Sequence, residues 1–192
     1  MKVSVLFTCK DSYYHQMEGV ECYDIQRDAR TFTGSTPVVA HPPCRAWGKL
    51  KHFARPRLDE KELAIWAISQ IRKCGGVLEH PSGSSLWPHL NLPTGRNIDQ
   101  YGGWTLKVDQ LWWGHEARKT TLLYICGVKP SDIPDYPITW TLPNGIISTS
   151  KGKARNKLPE ISKKLREKTP PDFAEWLVKL ATLCKKPNEF VK

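Results

Sequence analysis

The sequence contains no Cys-x-x-Cys pair, although it has six cysteines, at positions 9, 22, 44, 74, 126 and 184. None stands at zinc-finger spacing from a second cysteine and two histidines, so no metal site is expected. Six thiols scattered over 192 residues do not suggest a disulfide framework, and free cysteines in a reducing compartment follow. No apolar run approaches the roughly 20 residues that cross a bilayer. The amino-terminal stretch "MKVSVLFTCKDSYYH" lacks the small-residue cleavage site of a signal peptide, and a cytoplasmic location away from membranes is expected. Internal repeats and low-complexity tracts are also missing.

What is present is an ordinary globular composition, 40% hydrophobic and 25% charged, at a length that suits one domain with its own core. The charge is less ordinary. Lys and Arg outnumber Asp and Glu by ten. The segment 151–168, "KGKARNKLPEISKKLREK", carries eight Lys or Arg against two Glu, which is +6 of that +10. Such a cluster is either a phosphate-binding footprint or a solvated basic connection and helix face.

"VSVLFT" (3–8), "GVECYDI" (19–25), "PVVAH" (37–41) and "VLEH" (77–80) read as strands. "LDEKELAIWAISQIRK" (58–73) reads as a helix, with Leu63, Trp66, Ala67 and Ile71 at helical spacing, acids in its first turn and "CGG" to stop it. A Gly-, Pro- and Ser-rich stretch at 81–104 is long for a connection, and such loops are commonly functional or mobile. "TLKVDQLWW" (105–113) and "TLLYICG" (121–127) read as further strands around the loop "GHEARKT". A last helix spans 170–185, with a stripe of Phe173, Trp176, Leu177, Leu180 and Leu183. Strands alternating with helices predict one α/β domain over 1–192 with a largely parallel sheet.

Strand 37–41, helix 58–73 and strand 77–80 make one βαβ unit, so both strands end on the same edge of the sheet. Cys44 and Glu79 lie at or just past those ends, and ligands of open α/β sheets bind at the carboxyl edge. Two residues 35 apart in sequence are therefore expected at one site. Cys44 also follows His41, Pro42 and Pro43. Proline holds the chain rigid and offers no amide to a neighbouring strand, a mounting that a nucleophile needs and a packed cysteine does not.

With those residues in view, the chain resembles the DNA cytosine-5 methyltransferases, and more closely the small phage-encoded proteins described as DNA methyltransferases. "HPPC" (41–44) is similar to the Pro-Cys nucleophile motif and "LEHP" (78–81) to the Glu-Asn motif. "GVECYDIQRDA" (19–29) is similar to the strand-plus-acid after the cofactor loop, and "TPPDFAEWLVKLA" (169–181) to the late motif beside the first strand. The resemblance implies a single Rossmann-like methyltransferase domain, in a bacterial or phage-infected host cytoplasm, that uses S-adenosylmethionine to methylate cytosine C5 in DNA or a nucleotide. Cys44 would add to C6 of the base, Glu79 would engage ring nitrogen N3, and Arg118 would bind phosphate or orient the adduct. Arg45 or His41 would lower the thiol's pKa.

Thr8, Cys9, Ser12, Asp24 and His41 are the candidate cofactor residues, with Asp24 accepting from a ribose. Arg45, Trp47, Lys119, Lys151, Lys153, Arg155, Lys163 and Lys164 are the candidate nucleic-acid contacts. Trp87 is a second stacking candidate beside Trp47, whereas His80 and His115 are expected to satisfy local hydrogen bonds. The chain departs from the family in three ways. It has no glycine before Gly19, where the family has a glycine-rich loop. Arg45 and His80 stand where the family has Gln or Ser and Asn. No length remains for a separate target-recognition domain. An amino-methyltransferase using "HPPC" as an Asn/Asp-Pro-Pro-aromatic variant, another base-modifying enzyme with a changed cofactor, and a non-catalytic basic nucleic-acid-binding protein stay open as alternatives.

Overall fold

A computed structural model describes residues 1–49, 51–147 and 158–186. Six strands form one mixed sheet in the order β2-β1-β3-β4-β6-β5. They are β1 (Val3–Leu6), β2 (Val20–Tyr23), β3 (Val38–Ala40), β4 (Gly76–Pro81), β5 (Trp104–Asp109) and β6 (Thr120–Cys126). Pairings β1–β2, β1–β3 and β3–β4 are parallel, whereas β6 runs antiparallel to both β4 and β5. Five strands thus point one way and β6 alone is reversed. The molecule is a single α/β domain with a mostly parallel sheet, and among the described residues no helix is long and apolar enough to cross a membrane.

β1 and β3 are buried at every position because both faces are covered. Val3, Val5, Val39 and Val77 face one core with Phe173, Trp176, Leu177 and Leu180 of helix α4 (Pro171–Leu183). Leu6, Val38, Ala40 and Leu78 face the other, with Ala64, Ala67, Ile68 and Ile71 of helix α1 (Glu60–Cys74). Alternate residues of one strand thereby serve opposite layers. Gly75, at φ +79°, ends α1, and Gly76 follows at φ +136°. A β-carbon on Gly76 would sit 2.1 Å from the Val38 carbonyl oxygen, so only glycine lets β4 start tight against β3. Pro171 opens α4 at the position where a missing amide costs nothing. The expected stripe holds except at its end, where Leu183 is partly exposed.

Two expectations change. The strand expected over 105–113 stops at Asp109, because its carboxylate accepts from the amides of Leu111 (3.1 Å) and Lys119 (3.0 Å) and turns residues Gln110–Trp113 into a 3₁₀ helix. The long 81–104 connection is pinned down. It carries the short helix α2 (Leu86–His89) with Leu86 and Trp87 buried. Asp99 meets Arg72 at 3.0 Å and accepts from the Tyr124 hydroxyl at 2.7 Å. A second short α-helix, α3 (Lys163–Glu167), precedes α4 and is capped by the Ser162 hydroxyl.

Candidate active site

The chain passes from β1 to β2 on one side and then crosses to β3 on the other, so the sheet's topological switch lies between β1 and β3. A crevice outside the carboxyl ends is the expected ligand position there. β5 ends and β6 begins at that same edge, which brings the loop around Gln110–Lys119 to it. Five elements therefore contribute side chains to one place.

His41, just past β3, links two of them. Its Nε2 lies 2.9 Å from the Tyr14 hydroxyl and its Nδ1 3.1 Å from Glu79 Oε2. A carboxylate can only accept, so Nδ1 carries the proton and Nε2 accepts from Tyr14. Burial keeps Tyr14 protonated, well above the ordinary phenol range. The other oxygen of Glu79 accepts from Gln110 Nε2 at 3.1 Å and Thr121 Oγ1 at 3.0 Å. The side chain of Glu79 is 11% exposed. Burial alone would push its pKa up, but the hydrogen bond from His41 and the charge of Lys119 prevail and bring it down to about 2. Glu79 is a carboxylate, oriented on both oxygens.

Cys44 is exposed, and its carbonyl accepts from the amides of Trp47 (3.0 Å) and Gly48 (2.8 Å), which closes a tight turn behind it. Enough protein surrounds the sulfur for desolvation to push its pKa up. The Glu79 charge raises it further, while a backbone hydrogen bond and Lys119 pull it down. Cys44 and Glu79 therefore sense each other and the same lysine. The net direction is opposite to the lowering expected from Arg45 or His41. His41 is engaged on both nitrogens. Arg45 is committed to Glu60, with Nε 2.9 Å from Oε1 and Nη2 on Oε2.

That ion pair gives Arg45 a structural task. Glu60 is fully buried at the start of α1 and Arg45 is half-exposed, so removing the arginine strands a buried carboxylate. Arg45→Ala is expected to cost about 2 kcal/mol, less than a fully buried pair because solvent screens the guanidinium. Calorimetry should show a melting point lower by about 4–8 °C. An unchanged melting point would mean that Arg45 does not hold Glu60 in place.

Of the other expected residues, Arg118 lies 3.7 Å from Asp109 and is mostly exposed, whereas Lys119 is the cation that acts on both Glu79 and Cys44. Trp47 is 2% and Trp87 4% exposed. Their indole N–H groups donate to the carbonyls of Lys61 and Pro81. Both are core residues with no free face for a base. Lys164 reaches Asp11 at 2.7 Å, laying α3 beside the loop after β1, and Lys163 is exposed. Lys151, Lys153 and Arg155 lie outside the described residues. His80 is buried and neither ring nitrogen has a hydrogen-bond partner among the described residues, contrary to the expectation of local bonds. His115 Nδ1 does lie 2.7 Å from the Ala117 carbonyl.

The candidate cofactor residues divide. Thr8 donates both its hydroxyl (3.1 Å) and its amide (2.9 Å) to the Tyr23 carbonyl, stitching β1 to β2 and leaving that hydroxyl occupied. Cys9 is exposed and its carbonyl accepts from the Ser12 amide, which leads into the 3₁₀ turn Tyr13–Gln16. Asp24 Oδ1 accepts from the amides of Gln26 (2.7 Å) and Arg27 (2.9 Å), and these bonds lower its pKa. His41 belongs to the Glu79 network. Phe7 has φ +64°, a left-handed conformation that a bulky residue adopts only when its surroundings impose it. It turns the chain sharply at the end of β1, where the sequence has no glycine to do so. This turn and Asp24 stand at the ends of the adjacent parallel strands β1 and β2.

Tyr14, Gln110 and Thr121 join the site without any sequence signal. Each is an unremarkable residue whose partners lie 11 to 42 positions away. No protein-family model, curated protein or solved structure matches the chain.

Proposed function

We propose that this protein is an S-adenosylmethionine-dependent methyltransferase of a Rossmann-like type, acting on cytosine C5 in DNA. One observation carries the reading. An exposed cysteine just past β3 and a glutamate on the adjacent parallel strand β4, held on both oxygens by His41, Gln110 and Thr121, share the carboxyl edge beside the sheet's switch point.

Glu79, already oriented by His41, Gln110 and Thr121, faces the amidine-like edge of a cytosine extruded from the helix. Its carboxylate accepts from the exocyclic amino group and stabilises N3 when that nitrogen takes up a proton. Protonation at N3 draws electrons from C6, and the Cys44 thiolate adds there. The electrons displaced toward C5 make that carbon nucleophilic. S-adenosylmethionine at the ends of β1 and β2 would supply the methyl group, with Asp24 accepting from its ribose. Loss of the C5 proton to water then expels Cys44 as thiolate, and N3 returns its solvent-derived proton. This restores the aromatic ring and leaves 5-methylcytosine, with S-adenosylhomocysteine as the other product. Engagement of His41 on both nitrogens keeps it from serving as the acceptor that the Asn or Asp of an amino-methyltransferase motif provides, which counts against that reading of "HPPC".

DNA containing 5-fluorocytosine tests this chemistry, because fluorine cannot leave C5 as a proton and the adduct stalls. With the methyl donor present, mass spectrometry should find the adduct on tryptic peptide 31–45, whose single cysteine is Cys44. Absence of adduct, together with no calorimetric binding of S-adenosylhomocysteine, would overturn the proposal.

A further inference from the structure

Between Pro137 and Pro143 the chain reads "PITWTLP". Ile138, Trp140 and Leu142 are 67%, 94% and 80% exposed, although they are among the most apolar residues in the protein. Residues 137–142 lie in no strand or helix and are exposed throughout. Within the segment, Thr141 donates to the Thr139 hydroxyl at 3.0 Å. Both ends are fixed. Tyr136 stacks on Trp112 at 6.1 Å, and Trp176 donates to the carbonyls of Pro134 and Asp135. Beyond the segment, the amides of Asn144 and Gly145 donate to the Glu116 carbonyl at 2.9 and 3.1 Å. The row therefore rises beside the Gln110–Lys119 loop, at the sheet edge that holds Cys44 and Glu79.

We infer that Trp140, flanked by Ile138 and Leu142, is a stacking ridge that inserts against the bases of the nucleic acid. This rests on the proposed function, to which it adds an element that engages the DNA. Apolar wedges and aromatic faces do this work because unstacked bases offer π-surfaces of any sequence.

The alternatives fit worse. Three such side chains expose on the order of 500 Å², below the roughly 800 Å² per partner of a stable protein interface. Two copies carrying +10 each would also repel. Bracketing prolines do not favour the addition of a partner strand. The surroundings suit a polyanion. Arg118, Lys163 and Lys164 are exposed, each set against one carboxylate, of Asp109, Glu167 and Asp11. The chain keeps an excess of ten positive charges, with Lys151, Lys153, Arg155 and Lys157 next in sequence.

The test is fluorescence anisotropy with labelled duplex and single-stranded oligonucleotides of mixed sequence, across a salt series and without methyl donor. Trp140→Ala should weaken binding by about 5- to 100-fold with an unchanged salt slope and melting point, and Trp140→Phe should retain most of the affinity. Lys163→Ala with Lys164→Ala should instead reduce the slope by about 2. Wild-type affinity in Trp140→Ala, or no DNA binding by the wild type, overturns the inference. So does a wild-type dimer that becomes monomeric in Trp140→Ala on sedimentation, or a Trp140→Ala defect seen only with a protein partner. Because the measurement needs neither Cys44 nor the cofactor, its failure is separable from failure of the adduct experiment.

Discussion

Cys44→Ser is expected to lower methyl transfer to cytosine by about 10⁴-fold or more, the scale on which an enzyme loses activity when its nucleophile goes. Its DNA affinity should stay within about twofold of wild type, since phosphate contacts supply most of the binding. A distinctive pH profile should accompany this loss. Burial and the Glu79 carboxylate hold the thiol above its ordinary value of 9.0, so the reactive thiolate is scarce at neutrality. The wild-type rate should then climb about tenfold per pH unit through pH 7 to 9. Lys119→Gln removes a charge that pulls the thiol down and should displace the climb toward still higher pH. Full activity in Cys44→Ser would end the nucleophile assignment.

Acid should destabilise the fold over two adjoining pH ranges, each traceable to one residue of β4. Burial holds His80 down at about 4, against 6.5 in the unfolded chain. The unfolded state therefore binds the proton first, and the neutral form stabilises the fold fully only above pH 6.5. That contribution is lost as pH falls from 6.5 to about 4 and amounts to about 3 kcal/mol. Glu79 sits at about 2 against 4.5, so its contribution, again about 3 kcal/mol, is complete above pH 4.5 and disappears toward pH 2. Urea unfolding across pH should show both slopes in the wild type. His80→Phe should flatten the first, and by removing two unpartnered nitrogens from the interior it should gain stability at neutral pH as well. Glu79→Gln should flatten the second. A wild-type slope between pH 6.5 and 4 no steeper than that of His80→Phe would mean that His80 is paired or hydrated.

Local pattern carried much of the architecture. Helical spacing and a glycine stop marked α1 within two residues, and Pro171 marked the start of α4. Short apolar runs marked β1, β3 and β4, because a strand covered on both faces has no polar alternation to disguise it. The same logic put Cys44 and Glu79 on one edge, since parallel strands joined through a helix must end together. The β5 boundary was not legible in this way: "TLKVDQLWW" has strand propensity throughout, and it is the Asp109 carboxylate, bonded to the Leu111 and Lys119 amides, that stops it.

What the sequence by itself determined is the α/β order, the two helix faces and the Pro42–Pro43 mounting of Cys44, all of which depend on neighbours a few residues apart. Only the tertiary structure decided the states of the groups at the site. Arg45 looked free beside Cys44 until Glu60, fifteen residues on, claimed it. Trp47 and Trp87 looked available for a base, and packing buried them while leaving Trp140 bare. Glu79 became a fixed carboxylate through His41, Gln110 and Thr121, which come from three other parts of the chain. Charge state, exposure and hydrogen-bond partnership are set by whatever lies within a few ångströms, and chain distance does not encode that proximity.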